Sequence, residues 1–61
     1  MFYVMIDEKS AAVRDTLADA ISHCEVLAMR ERFPASWWIA DEDGNEVHNM
    51  GFWANGQQQR D

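Results

Sequence analysis

At 61 residues, with eleven Asp and Glu against five Lys and Arg, the chain has room for one small domain. Its net charge of −6 sets a field that repels nucleic acid and attracts basic protein surfaces. A lone cysteine, Cys24, excludes an internal disulfide, and no apolar run is long enough to span a bilayer.

A domain of this size buries only about 60% of the surface its unfolded chain exposes, so oligomerisation or complex formation is the expected supplement to its stability. The opening MFYVMIDEKS meets acidic residues early and has no basic leader region, so a cytoplasmic protein is the expectation.

The run Phe2 to Ile6 is rich in aromatic and β-branched residues and stops at Asp7-Glu8, the pattern of a short strand. Tyr3 to Asp15 also aligns in character with Trp37 to Asn49: Asp7-Glu8 falls over Asp41-Glu42, Val13 over Val47 and Arg14 over His48. In the second copy Asp43-Gly44 is a strong hairpin signal, because both residues tolerate positive φ. The first copy has Lys9-Ser10 at its turn, which is poorer turn chemistry.

Between the copies, Thr16 to Phe33 reads as a helix of about four turns. Thr16 and Asp19 have capping-box spacing, and Arg30 and Arg32 sit near the negative end of the dipole. Leu17, Ala20, Ile21, Cys24, Leu27 and Ala28 form one apolar stripe, Val26, Met29 and Phe33 a thinner second one, and Pro34 stops the element. The fold class is α+β with the order ββαββ, two hairpins flanking a helix packed on one face of an antiparallel sheet. The alternative is β-α-β-β, in which Ser10 caps a longer helix. Residues 1–53 form the domain, Phe52 and Trp53 fold back onto it, and 54–61 are a polar tail expected to fray.

A two-residue loop at Asp43-Gly44 sets Ala40 opposite Val47 and Ile39 opposite His48. One face then carries Trp38, Ala40 and Val47, joined from upstream by Phe2, Val4, Ile6 and Val13, and packs under the helix. The other carries Tyr3, Met5, Asp7, Arg14, Trp37, Ile39, Asp41, Glu46, His48 and Met50. An aromatic and aliphatic centre inside a charged rim is what protein interfaces enrich, so this open face is the expected partner site, with Trp37 at its centre.

Catalytic and metal chemistry find little support. His23 and Cys24 are adjacent on a helix and do not converge, no CxxC or HxxxH spacing exists, and Cys24 lies on the packed stripe. The acidic run Asp41 to Glu46 begins like a calcium loop, but Phe52 stands where its twelfth-position Glu belongs. No cofactor, metal or enzymatic activity is implied. Tyr3 and Trp37 could stack single-stranded bases, yet that face has only Arg14 as a cation, so direct nucleic-acid binding ranks last.

The segment RDTLADAISHCEVLAMRERFPASWWIADEDGNEV, residues 14–47, resembles a recurrent pattern of small bacterial and phage proteins: a capped helix opened by Thr-Leu-x-x-Ala, then a hairpin ending Asp-x-x-Gly. In size, acidity and lack of a catalytic motif the chain is also similar to phage and mobile-element accessory proteins, including anti-CRISPR-type inhibitors. That resemblance implies a non-catalytic, acidic inhibitor or modulator of a host nucleoprotein machine, acting on a protein with a basic surface. A homodimeric structural or adaptor protein is the second expectation.

Overall fold

A computed structural model, which describes residues 1–59, shows why the chain cannot be a bare four-stranded unit. The order is β1 (Phe2–Ile6), β2 (Lys9–Arg14), α1 (Leu17–Arg30), β3 (Ala35–Ala40), β4 (Glu46–Ala54) and β5 (Gln57–Gln58). The strands form one antiparallel sheet in the order β2-β1-β3-β4-β5, with α1 across one face. The fold is α+β, and the ββαββ reading holds with one small extra strand; Ser10 to Arg14 is strand, not helix.

The helix begins at Thr16, whose Oγ1 accepts the Asp19 amide at 3.1 Å and satisfies one of the free donors of the first turn. It ends at Arg30, short of the expected Phe33. Glu31 turns extended, and its Oε1 accepts the amides of Arg32 at 3.0 Å and Phe33 at 3.3 Å. These bonds give the chain a local alternative to another helical turn, so the helix stops before Pro34 is reached.

Ala20, Cys24 and Ala28 are fully buried, with Leu17, Ile21 and Leu27 flanking them, as the apolar spacing predicts. The stripe at the centre of the helix is small, so the axis sits close to the sheet. Bulk comes from the strands instead: Val4, Trp37, Ile39 and Trp53 fill the space beneath.

Both hairpin turns differ from the sequence reading. The first turns at Asp7-Glu8, since Ile6 pairs with Lys9, and Asp7 takes a φ of 54°. In the second, the Asp41 amide donates to the Asn45 carbonyl at 2.9 Å and the Gly44 amide to the Asp41 carbonyl at 3.1 Å. This encloses a three-residue loop, Glu42 to Gly44, with Gly44 at φ 86°. Asp41 favours the longer loop because its Oδ1 accepts from both Asp43 and Asn45 amides at 2.9 Å.

The stretch from 54 onward is sheet rather than frayed tail, as far as it is described; residues 60 and 61 lie outside the described residues. Asn55 at φ 56° and Gly56 at φ 77° form the Asn-Gly turn that reverses β4 into β5, and Ala54 pairs with Gln57 across it. This turn docks on the end of the helix. The Asn55 amide donates to the Arg32 carbonyl at 3.3 Å, and a Cβ at Gly56 would lie 2.5 Å from the Met29 carbonyl oxygen. Nothing lies within 4 Å of a Cβ placed at Gly44. Gly44→Ala is therefore expected to cost only its backbone strain, about 1 kcal/mol. Gly56→Ala adds a backbone clash and should cost ~2 kcal/mol or more; urea denaturation midpoints of the two variants check the order.

Candidate functional site: the uncovered sheet face

Strand parity decides which side chains this face displays. In the β1–β3 ladder Val4 lies opposite Ile39 and Ile6 opposite Trp37, so these four share the helix side. Trp37 is 3% exposed and Ile39 fully buried, both in the cluster with Val4, Cys24 and Trp53. Trp38, opposite Met5, occupies the uncovered face and is only partly buried. The expected division of labour between the two tryptophans is reversed. The physical reason is that a shift of one residue between the hairpins flips every side chain of β3, and the pseudo-repeat contained no information on how the hairpins pair.

Several other placements change with it. Arg14 pairs with Phe2 on the helix side, where its Nη2 lies 3.0 Å from the His23 ring and its Nη1 donates to the Val13 carbonyl at 2.7 Å. Met50 packs against the core, because β4 carries an extra residue between its pairs with Trp37 and Trp38. His48 does lie opposite Ile39 as expected, but that puts it on the helix side, where it is exposed. Ala40 pairs with Glu46 instead of Val47, which is the extra residue of a second irregularity and stands 41% exposed. Val13 pairs with Tyr3, on the uncovered side.

Tyr3, Met5 and Glu46 remain on the uncovered face, and Asp41 remains at its rim. Trp38, Val13, Ser10, Ala40 and Phe52 join them. A shallow depression of ≈ 260 Å³ is lined by Tyr3, Met5, Ser10, Trp38, Ala40, Asp41, Glu42 and Gly44. Glu42 Oε1 lies 2.6 Å from the Met1 amino group, the ion pair found among the described residues. At the opposite end of the sheet, Asp7 makes three hydrogen bonds: its Oδ1 accepts the Ser36 amide at 2.9 Å, its carbonyl accepts Trp38 Nε1 at 2.7 Å, and its own amide donates to the Ser36 carbonyl at 2.7 Å. The bond to the Asp7 carbonyl holds the Trp38 indole in place, and the other two tie Asp7 to the Ser36 backbone.

The neighbouring Trp37 bears the opposite burden. Its Nε1 is buried with no partner, which costs about 1–3 kcal/mol. Burying the ring itself contributes roughly 4–6 kcal/mol, so the core position still wins.

Two sequence signals pointed to this arrangement. Ser36 shares the parity of Trp38, whereas Ala35, Trp37 and Ile39 are uniformly apolar. Asn55-Gly56 is a hairpin signal as strong as Asp43-Gly44.

No three His, Cys, Asp or Glu side chains converge to hold a metal ion among the described residues, and no helix there is long and apolar enough to cross a membrane. Cys24 lies in the core, where burial pushes its thiol from 9.0 up to about 11. Val26, Met29 and Phe33 are exposed on and after the helix, apart from this face. The fold and face together define an α+β domain with one side of its sheet uncovered. No protein-family model matches the chain, nor does any characterised protein or solved structure.

The exchange of tryptophans is directly measurable. Trp37→Ala should cost about 3–5 kcal/mol, enough to unfold a domain of this size, whereas Trp38→Ala should keep native far-ultraviolet circular dichroism and a cooperative melt. Cys24 gives a second check. Because its folded-state pKa is raised, its stabilising contribution is complete below pH 9.0 and is lost as pH rises toward 11. Stability should fall across that window in the native chain and fall less in Cys24→Ala, and the native thiol should react with a disulfide reagent only on denaturation.

Proposed function

We propose that this protein is a non-catalytic binding module that engages another protein through the uncovered sheet face, with Trp38 as its anchor. The observation that carries the reading is the face itself: Tyr3, Met5, Val13, Trp38 and Phe52 lie on the side of the sheet without the helix, and Asp41, Glu42 and Glu46 border them. Tryptophan and tyrosine in such a setting supply large contact area at low entropic cost. The bond from Trp38 Nε1 to the Asp7 carbonyl fixes the ring before any partner arrives, which lowers the cost of ordering it on binding.

Charge selects the class of partner. Arg14 is turned to the helix side, and Lys9, opposite Ile6, is on that side too. The face is left with carboxylates at its rim and no described Arg or Lys by register. Such a surface favours a basic protein, and machines that handle nucleic acid present one. A small acidic inhibitor or modulator of a nucleoprotein machine fits this description. Self-association through the same face would bring acid against acid, with Asp7 and Glu8 at one end and Asp41, Glu42 and Glu46 at the other, so the homodimer is the weaker alternative.

The test is affinity capture from the native host, followed by binding measurements on the captured partner with the intact chain, Trp38→Ala and Tyr3→Ala. Loss of about 2 kcal/mol or more for Trp38→Ala, roughly thirtyfold in Kd, is expected with the fold retained. Unchanged partner binding by Trp38→Ala would sink the proposal. A concentration-dependent dimer in light scattering that Trp38→Ala abolishes would favour the self-associating alternative.

A further inference from the structure

We infer that the depression at the β3–β4 end of the uncovered face is a receptor for a single cationic side chain, an arginine guanidinium or a lysine ammonium, projecting from the protein partner. This rests on the reading just proposed and names the chemistry of its central contact.

The first argument is the lining. Tyr3, Met5, Trp38 and Ala40 supply aromatic and apolar surface, and Asp41 and Glu42 bring carboxylates to one side. An aliphatic stem ending in a positive charge matches that division: the stem packs on Met5 and Ala40 while the head meets ring faces and carboxylate together. A neutral apolar side chain would gain nothing from the acids, and an anion would be repelled by them.

The second argument is size. At ≈ 260 Å³ the depression falls below the range of ~300–1,000 Å³ usual for small-molecule sites, so it suits one inserted side chain better than a free metabolite. The third is that the rim already holds a cation. Glu42 Oε1 takes the Met1 ammonium at 2.6 Å, so this carboxylate is placed and oriented to accept an N⁺–H donor in the folded protein.

Asp41 has a double part. Its Oδ1 accepts the Asp43 and Asn45 amides at 2.9 Å and so shapes the loop, while the carboxylate as a whole contributes negative charge to the depression. An amide in its place keeps an oxygen for the two backbone donors and removes the charge. The pair Asp41→Asn and Glu42→Gln therefore separates electrostatics from loop structure.

The experiment is a titration of the intact chain, followed by amide and indole nuclear magnetic resonance shifts, with three peptides of one scaffold: a central arginine, a central lysine, and a central citrulline. Citrulline keeps the shape of arginine without its charge. The arginine or lysine peptide is expected to shift the Trp38 indole and the amides of Tyr3, Glu42 and Gly44, and to bind about tenfold more tightly than the citrulline peptide. Trp38→Ala and the Asp41→Asn, Glu42→Gln double variant should each lose that advantage. Whichever of arginine and lysine binds more tightly identifies the head group. Equal binding of citrulline, or shifts confined to the helix end around Met29 and Phe33, would overturn the inference. If none of the peptides binds while a captured protein partner still depends on Trp38, the cationic receptor fails and the binding-module reading stands. If the partner does not depend on Trp38, that reading fails by itself.

Discussion

The junction between the two hairpins, pinned at Asp7, is the constraint on which the rest depends. Its amide donates to the Ser36 carbonyl, its carboxylate takes the Ser36 amide, and its carbonyl takes the Trp38 indole, all at 2.7–2.9 Å. A residue held at φ 54° in a two-residue turn thereby locks β1 to β3 through both its backbone and its side chain. Once Val4 faces Ile39, every other assignment follows: Trp37 enters the core, Trp38 leaves it, and the helix must bring a small-residue stripe to make room.

The sheet then accommodates its own irregularities. Three extra residues, Ala11 in β2 and Val47 and Met50 in β4, break the pairing with the two central strands. Such insertions increase local twist, and here they fall in the strands flanking β1 and β3. At Met50 side chains of the same chain answer the disturbance. Its carbonyl accepts both Trp53 Nε1 and Gln58 Nε2 at 2.9 Å, and the Gly51 amide finds Asn49 Oδ1 at 2.7 Å. The backbone groups that the irregularity frees are thus capped by side chains, which blunts the exposed edge of β4 against pairing with another chain.

Charge is distributed as unevenly as bulk. The described arginines lie on the helix side or at the helix end, Arg14 against His23 and Arg30 in the last turn of α1, while carboxylates border the uncovered face. A rigid aromatic centre within an acidic rim has the two properties a binding surface requires, contact area that needs no ordering and a field that selects for the sign of the partner's charge.

Much of the architecture was present in the amino-acid sequence, because it depends on local rules. The Thr16 cap, the three-and-four spacing from Leu17 to Ala28 and the aromatic and β-branched run at Phe2 to Ile6 specify their elements without reference to distant residues. The Asn55-Gly56 turn was legible by the same rules, although the polar run after it reads more readily as a tail. Only the tertiary structure decided which tryptophan faces outward. In Ser-Trp-Trp-Ile-Ala both parities are largely apolar, so neither is forbidden by composition, and the choice belongs to hydrogen bonds between residues about thirty positions apart, Asp7 with Ser36 and Trp38. The candidate site shares that origin. Tyr3 and Met5 could be placed from β1 alone, whereas Trp38 and the removal of Arg14 depended on strand pairing, which is a property of the assembled sheet.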